Sequence, residues 1–541
     1  MASKKVASRR DRSAQPASEQ RPGSKRVVEL IRAHHMVILA VLVALGSYAY
    51  TLDEKLDLNG DNVKYYLLGR SLATGQGYSE LWQSGQPTHY SYPPVYPLLI
   101  ALAIVVFGME NFLAVKWMNG LFFLLCVVLV YRLSCFWTRQ KALAAAMALA
   151  IAFNANLLAF GSMMMTEIPF VFFTLLGLWF AGKIPEHTEN PVIDRHFLAT
   201  MVCFGLAYYT RTAGLACLFG ITVYFAIRRR WSYLAAAVGG SMLIMLPWSI
   251  WGRRGQGSSY LRLLLLRDPY APEAGTIGPW GLLERLYSNL FRYIHTEIPE
   301  AFFPGWFGPH NDLRVLGWIV GIGIFTVASY GLWKLPRFNL LLLSYLAGTF
   351  GMILVWPEVW YGIRFVLPVV PLLLILFYHG LVVAVSTSIR RPGFPSGFFP
   401  LLCGALIFAS NAGAVHRRHQ YARAPYPAAW ANYFSLAAWA RENTPEDAVI
   451  ACRKPEFFYL FSNRPCVLYA FDPDQRAVIA QMKADDVRYV ILAPLGFGTT
   501  SLYLVPALRA HQELFRPIVH LPHPDTFLIE FLPASGADDG A

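Results

Sequence analysis

Apolar residues along this chain come in long, nearly unbroken blocks, not at the spacing of a soluble core, and short polar or basic loops separate them. A membrane-crossing helix needs about 20 mostly apolar residues. Blocks near 36–52, 117–135, 142–160, 168–182, 232–251, 315–333, 340–356, 366–385 and 398–414 read as spans. The long run 197–227 reads as a hairpin of two, broken at Thr210, Arg211, Thr212, Ala213 and Gly214. That hairpin keeps Arg195 and the Arg228, Arg229, Arg230 run on one side.

Basic loops set orientation in membrane proteins, and one assignment puts nearly all of them in the cytosol. It predicts about 11 transmembrane helices, the N-terminus cytosolic and the C-terminus outside. The apolar block 93–108 is short and carries Pro93, Pro94 and Pro97 at its start, so it is expected to lie along the outer interface as a juxtamembrane helix. Residues 1–35 form a basic cytosolic tail expected to be disordered, 36–415 a transmembrane module with outer loops at 53–92 and 252–312, and 416–541 an extracytoplasmic domain.

That last stretch changes character. Short β-rich runs at 448–451, 467–470 and 489–492 alternate with helical patterns such as 474–482, which predicts a small α/β domain with a parallel sheet. In such a layout Cys452 and Cys466 are expected at opposite edges of the sheet, beyond disulfide reach.

Composition agrees with the patterning: of 541 residues, 55% are hydrophobic and only 15% charged. The net charge of +13 does not mark a nucleic-acid binder, because nine of the Lys and Arg residues sit in the first 35 positions. The block 36–52 lacks a small-residue cleavage site and reads as a retained span.

The notable ionisable residues gather on the outer side. Asp61 and Tyr65 share one face of a helical stretch in the first outer loop, and Ala73, Gly75, Gly77 and Tyr78 follow, then Tyr92, Pro93, Pro94, Tyr96 and Pro97. Thr166, Glu167, Ile168 and Pro169 open a span, Arg211 sits in the outer hairpin, and Arg364 precedes Pro368 and Pro371 at another outer end. In this order and sidedness the motifs resemble the family 39 type glycosyltransferases of the GT-C superfamily, which include protein O-mannosyltransferases and bacterial aminoarabinose transferases. The resemblance covers most of the membrane part.

It implies a GT-C fold and an inverting transfer of sugar from a polyprenyl-phosphate donor to a lipid, glycan or protein acceptor. A carboxylate of the first outer loop then acts as general base, and by position this is Asp61, with Glu167 a second acid in a supporting role. Arg211 and Arg364, at outer span ends, suit a phosphate whose charge grows as the glycosidic bond breaks. Tyr65, Lys64, His89, Tyr92 and Tyr361 are further candidates for substrate contact, with Glu358 and His310 on the same side.

Structural readings stand beside these. Glu167 at a helix start is also what the helix dipole favours, Asp61 after Asn59 and Gly60 is a common turn residue, and interfacial arginines bind bulk lipid phosphate. Some GT-C enzymes use a divalent ion, but no metal-ligand motif is present and Asp61 has no adjacent acid partner. A transporter or flippase would also be polytopic, yet the middles of the predicted spans are nearly free of charge. A ligase using a lipid diphosphate is the other alternative. The absence of an Asn-x-Ser/Thr sequon fits a bacterial inner membrane with the site facing the periplasm.

Overall fold

The computed structural model describes residues 22–58, 60–186, 190–255, 260–308, 313–335, 337–388 and 398–532. Most of the basic tail, His310, Arg390 and Arg391 lie outside the described residues.

The apolar blocks form helices because nothing in them competes: they are Leu-, Val-, Ala- and Phe-rich, and in lipid each backbone N–H and C=O must be bonded within its own segment. A helix stands at each expected span. Among the described residues, five are long and apolar enough to cross a membrane: His34–Thr51, Phe112–Thr138, Trp231–Arg253, Arg314–Trp333 and Ile363–Ser388. Shorter apolar helices occupy Val95–Phe107, Glu167–Ala181, Thr212–Ile227 and Asn339–Leu354. Helices Arg195–Thr210 and Phe398–Arg423 complete the set, the second continuing well past the boundary expected near 415.

The block 142–160 is not one straight helix but a pair, Lys141–Ala152 and Ala155–Ser162, bent by 50°. The break is made by Asn154, whose side chain accepts from Leu157 N at 3.0 Å and donates to the Ala301 carbonyl at 3.1 Å. A polar side chain that offers the backbone an alternative partner is enough to interrupt the ladder.

Ile363–Ser388 is the centre of the bundle, with 83% of its most apolar window buried, against 11% for Trp231–Arg253 at the periphery. Its neighbour Arg314–Trp333 lies against it backbone to backbone. A Cβ on Gly331 would fall 2.0 Å from the Leu376 carbonyl oxygen, and one on Gly380 2.1 Å from that of Val327. Small residues permit this approach, which is how helices associate without a hydrophobic drive in lipid.

The C-terminal sheet has five strands in the order β2-β1-β3-β5-β4: β1 Val449–Ala451, β2 Cys466–Val467, β3 Val487–Leu492, β4 Phe515–Leu521 and β5 Thr526–Phe531. β1 runs parallel to β2 and β3, whereas β3–β5 and β5–β4 are antiparallel. The α/β expectation holds, but the sheet is mixed. The hairpin β4–β5 was hidden by Pro517 and by Pro522 and Pro524 around its turn, and Pro517 is tolerated because β4 is an edge strand. The placement of the two cysteines is also corrected. Ile450 pairs with Cys466, and Cys452 N donates to Val467 O at 3.0 Å, so Cys452 and Cys466 lie on neighbouring strands. Both are buried free thiols.

One face of this sheet shares a hydrophobic core with the loop 53–92. Leu56, Tyr65, Trp82 and Tyr96 pack in one cluster with Trp430, Tyr433, Phe457, Cys466 and Ile491. Trp82 O also accepts from Cys466 N. The C-terminal domain is therefore docked onto the loop that carries Asp61.

Candidate active site

Asp61 occupies the N-cap position of the helix Asn62–Ala73, yet its side chain makes no capping bond. Instead one carboxylate oxygen accepts from the Tyr92 hydroxyl at 3.2 Å and the other from two guanidinium nitrogens of Arg364 at 3.3 Å. Glu167 stands in the first turn of its helix, with its carboxylate turned to the arginines. The carboxylate is wholly buried, and its Oε1 accepts from Arg211 Nη1 and from Arg364 Nε. Arg364 thus bridges both acids.

Local sequence explains each placement. Arg211 is the single extended residue between helix Arg195–Thr210 and the tight turn Thr212–Gly214. That turn requires its glycine, because a Cβ on Gly214 would sit 2.4 Å from Tyr208 N. Arg364 follows Gly362, whose φ of 113° is open to glycine and costly for other residues. The loop at Tyr361 is braced by Arg292, which lies 3.4 Å over the Tyr361 ring, bonds Glu297 at 3.0 Å and reaches the Glu358 carbonyl at 3.2 Å.

These residues surround a cavity of about 860 Å³. Asp61, Tyr65, Tyr92, Arg211, Tyr361 and Arg364 line it, while Glu167 lies behind the two arginines. Tyr65 packs at a tilt against Tyr92 and edge-on to Tyr96, with centroids 5.0 and 5.4 Å apart. Burial and the Asp61 charge raise its phenol above the ordinary tyrosine range, so Tyr65 is a hydroxyl donor, not an anion. Trp356, Trp360, Phe365, Met352 and Leu215 supply an apolar wall.

Of the candidates for substrate contact, His89, Lys64 and Glu358 do not line the cavity. His89 is buried with Nδ1 2.6 Å from Glu80 and Nε2 accepting from Tyr92 N at 2.8 Å, so it fixes Tyr92 from behind. Lys64 is paired with Glu456 of the C-terminal domain at 3.0 Å. Glu358 is exposed and offers its carbonyl to Arg292. Conversely, Lys454 of the C-terminal domain lines the cavity and was not foreseen, because no motif marks it.

A divalent cation fits poorly here. Glu167 is committed to two guanidiniums and Asp61 to a third contact with one of them, and among the described residues no group of three His, Cys, Asp or Glu side chains converges.

A bundle of apolar helices, five of them among the described residues long and apolar enough to cross a membrane, carries a carboxylate–arginine cluster at its ends with a small α/β domain packed over it, as in an integral membrane protein. Residues 91–251 match the family described as dolichyl-phosphate-mannose-protein mannosyltransferase. The fold is similar to that of ArnT from Cupriavidus metallidurans bound to undecaprenyl phosphate, with a TM-score of 0.57 at 15% identity over 94% of this chain and 100% of that one. The apo form of ArnT gives 0.56 at 16% identity, over 92% and 98%. The Archaeoglobus fulgidus oligosaccharyltransferase in complex with Zn and sulfate gives 0.60 at 13% identity, over 92% of this chain and 74% of that one. A comparison with curated protein sequences finds no match.

Proposed function

We propose that the chain is an inverting glycosyltransferase that moves a sugar from a polyprenyl-phosphate donor to an acceptor hydroxyl on the outer side of the membrane. The observation that carries this is the cluster at the ends of apolar helices in which Asp61, Arg211 and Arg364 line one cavity and buried Glu167 holds the two arginines from behind. The match to a polyprenyl-phosphate mannosyltransferase family and the likeness to ArnT bound to undecaprenyl phosphate support the donor class.

In this reading the free face of the Asp61 carboxylate takes the proton of the acceptor hydroxyl as its oxygen attacks the anomeric carbon. The bond from that carbon to the phosphate oxygen breaks on the opposite side, its electron pair goes to the phosphate, and the configuration inverts. A positioned general base contributes ~10² to 10⁴-fold. The phosphate leaves without needing an acid but gains a negative charge, and Arg211 and Arg364 meet it. Glu167 holds those two guanidiniums in place, oriented for bidentate contact. The aromatic wall receives the sugar and the first prenyl units.

The reading is tested by incubating the purified protein in lipid with a panel of radiolabelled polyprenyl-phosphate sugars. Consumption of one donor with inversion at the anomeric carbon is expected. Passage of an intact lipid across the bilayer without sugar release would replace this reading with a transporter.

A further inference from the structure

We propose that Lys454 of the C-terminal domain is a third cationic ligand for the donor phosphate, so that this domain completes the donor site. The assignment rests on the transferase reading above and extends it to a residue outside the membrane module.

Charge within the cluster is balanced. Two acids and two arginines make up the cluster, and their formal charges cancel: Arg211 is held by Glu167, and Arg364 by Glu167 and Asp61. A donor phosphodiester brings one negative charge into that neutral cluster and acquires a second when the glycosidic bond breaks. Some positive charge not already neutralised is needed nearby. Three basic side chains line the cavity among the described residues, Arg211, Arg364 and Lys454. Of these, Lys454 alone has no carboxylate within ion-pair distance. Its ammonium lies 5.0 Å from the Phe497 ring centroid. Burial lowers its pKa, against the opposite pull of Glu456, as befits an incompletely compensated ammonium.

Topology supplies an independent reason. Lys454 stands just beyond the carboxyl end of β1, immediately before the helix Pro455–Ser462. β1 has β2 on one side and β3 on the other, both parallel to it. The chain leaving β1 runs to β2 on one side, whereas the chain leaving its other neighbour β3 runs on to β4 and β5 on the opposite side, and open α/β sheets bind ligands outside the carboxyl ends of their strands at such a switch point. In this chain that edge faces the cavity.

The lysine is also firmly mounted. Its carbonyl accepts from the Tyr433 hydroxyl at 3.0 Å and from Phe458 N at 3.1 Å. Two residues on, Glu456 bonds Lys64, on the helix that begins beside Asp61. The backbone at Lys454 is thus fixed beside the cavity that Arg211 and Arg364 also line.

The test uses the full chain in phosphatidylcholine nanodiscs and measures binding of polyprenyl phosphate and of neutral polyprenol. Wild type, Lys454→Met, Lys454→Gln and Lys454→Arg are compared, with phosphatidylglycerol as an anionic competitor. Loss of one charge-assisted contact corresponds to roughly 10- to 100-fold weaker binding. That loss is expected for polyprenyl phosphate in the Met and Gln variants, with polyprenol binding unchanged and the Arg variant close to wild type. Unchanged phosphate binding in a folded Met or Gln variant would overturn the role of Lys454 while leaving the transferase reading in place. An equal loss for polyprenol, or sensitivity only to phosphatidylglycerol, would overturn it too, the first marking a packing role and the second a bulk-lipid anchor. If wild type itself binds no polyprenyl phosphate, the transferase reading fails and this assignment with it.

Discussion

Asp61 and Arg364 form an ion pair of 3.3 Å although 303 residues separate them in the chain. The pair joins the loop 53–92 to the start of the central helix Ile363–Ser388. It is the looser of the two ion pairs Arg364 makes, since the same guanidinium is drawn tightly onto buried Glu167. Glu167 is therefore the anchor, and Asp61 keeps a carboxylate edge turned to the cavity, about one third exposed, with the Tyr92 hydroxyl fixing its angle.

Removing Glu167 is expected to damage the fold as well as the site. Glu167→Ala leaves two adjacent guanidiniums without their shared buried partner, a change that costs ~3 to 5 kcal/mol in comparable buried pairs. Glu167→Gln preserves shape and one acceptor and is expected to lose less. Thermal unfolding in lipid or detergent reads this directly. Wild-type stability in the Ala variant would mean that the arginines are held by something else.

The two arginines are expected to respond differently to lysine. Arg364 uses three nitrogens on two acids, a geometry that an ammonium at the end of a flexible stem cannot reproduce. Arg211 makes its ion pair through Nη1 alone. Arg364→Lys should therefore lower turnover by at least roughly tenfold more than Arg211→Lys, on the scale of one charged hydrogen bond. Equal losses in steady-state kinetics would remove the bridging role given to Arg364.

Docking of the C-terminal domain has its own marker in Lys64 and Glu456. The pair is only partly buried, 34% and 10% exposed at the side chains, so a modest effect of ~1 kcal/mol is expected for either single reversal. Lys64→Glu combined with Glu456→Lys should restore most of it. Hydrogen exchange across residues 455–462 distinguishes restoration from simple additivity.

A pH dependence follows from Lys454. Its pKa is lowered by burial, and the charges facing it are Glu456 and Arg453 beside it, with Asp61 and Lys64 from the loop 53–92. Phosphate binding prefers the protonated ammonium, so affinity is present below this lowered pKa and lost as pH rises through it. As pH rises toward the ordinary lysine range of ~10.4, polyprenyl phosphate affinity should fall before that range is reached in wild type and stay flatter in Lys454→Arg, whose guanidinium keeps its charge. Superimposable profiles would contradict this.

The legible part of the molecule was what local sequence controls. Long apolar blocks declared their helices, and the Thr210–Gly214 break declared the turn that presents Arg211. The bend at Asn154 was not legible, because the residue has helix-compatible neighbours and acts through the distant carbonyl of Ala301. Within the site, Asp61, Glu167, Arg211 and Arg364 were readable as ordered motifs, but not that Glu167 would hold both arginines. His89 and Lys64 have suitable chemistry and the wrong neighbours, Glu80 and Glu456. Lys454 carries no motif at all and becomes visible only when the β1 edge is set over the cavity.

In the proposed reaction Asp61 is the base. The most direct measurement is single-turnover sugar transfer from a polyprenyl-phosphate donor, alongside donor affinity, for wild type and Asp61→Asn. Asparagine keeps the shape and the contact to Tyr92 but cannot take a proton, so transfer should fall by ~10² to 10⁴-fold with donor affinity within about threefold of wild type. Transfer at the wild-type rate in Asp61→Asn would show that the proton leaves by another route and that Asp61 serves only to hold Arg364.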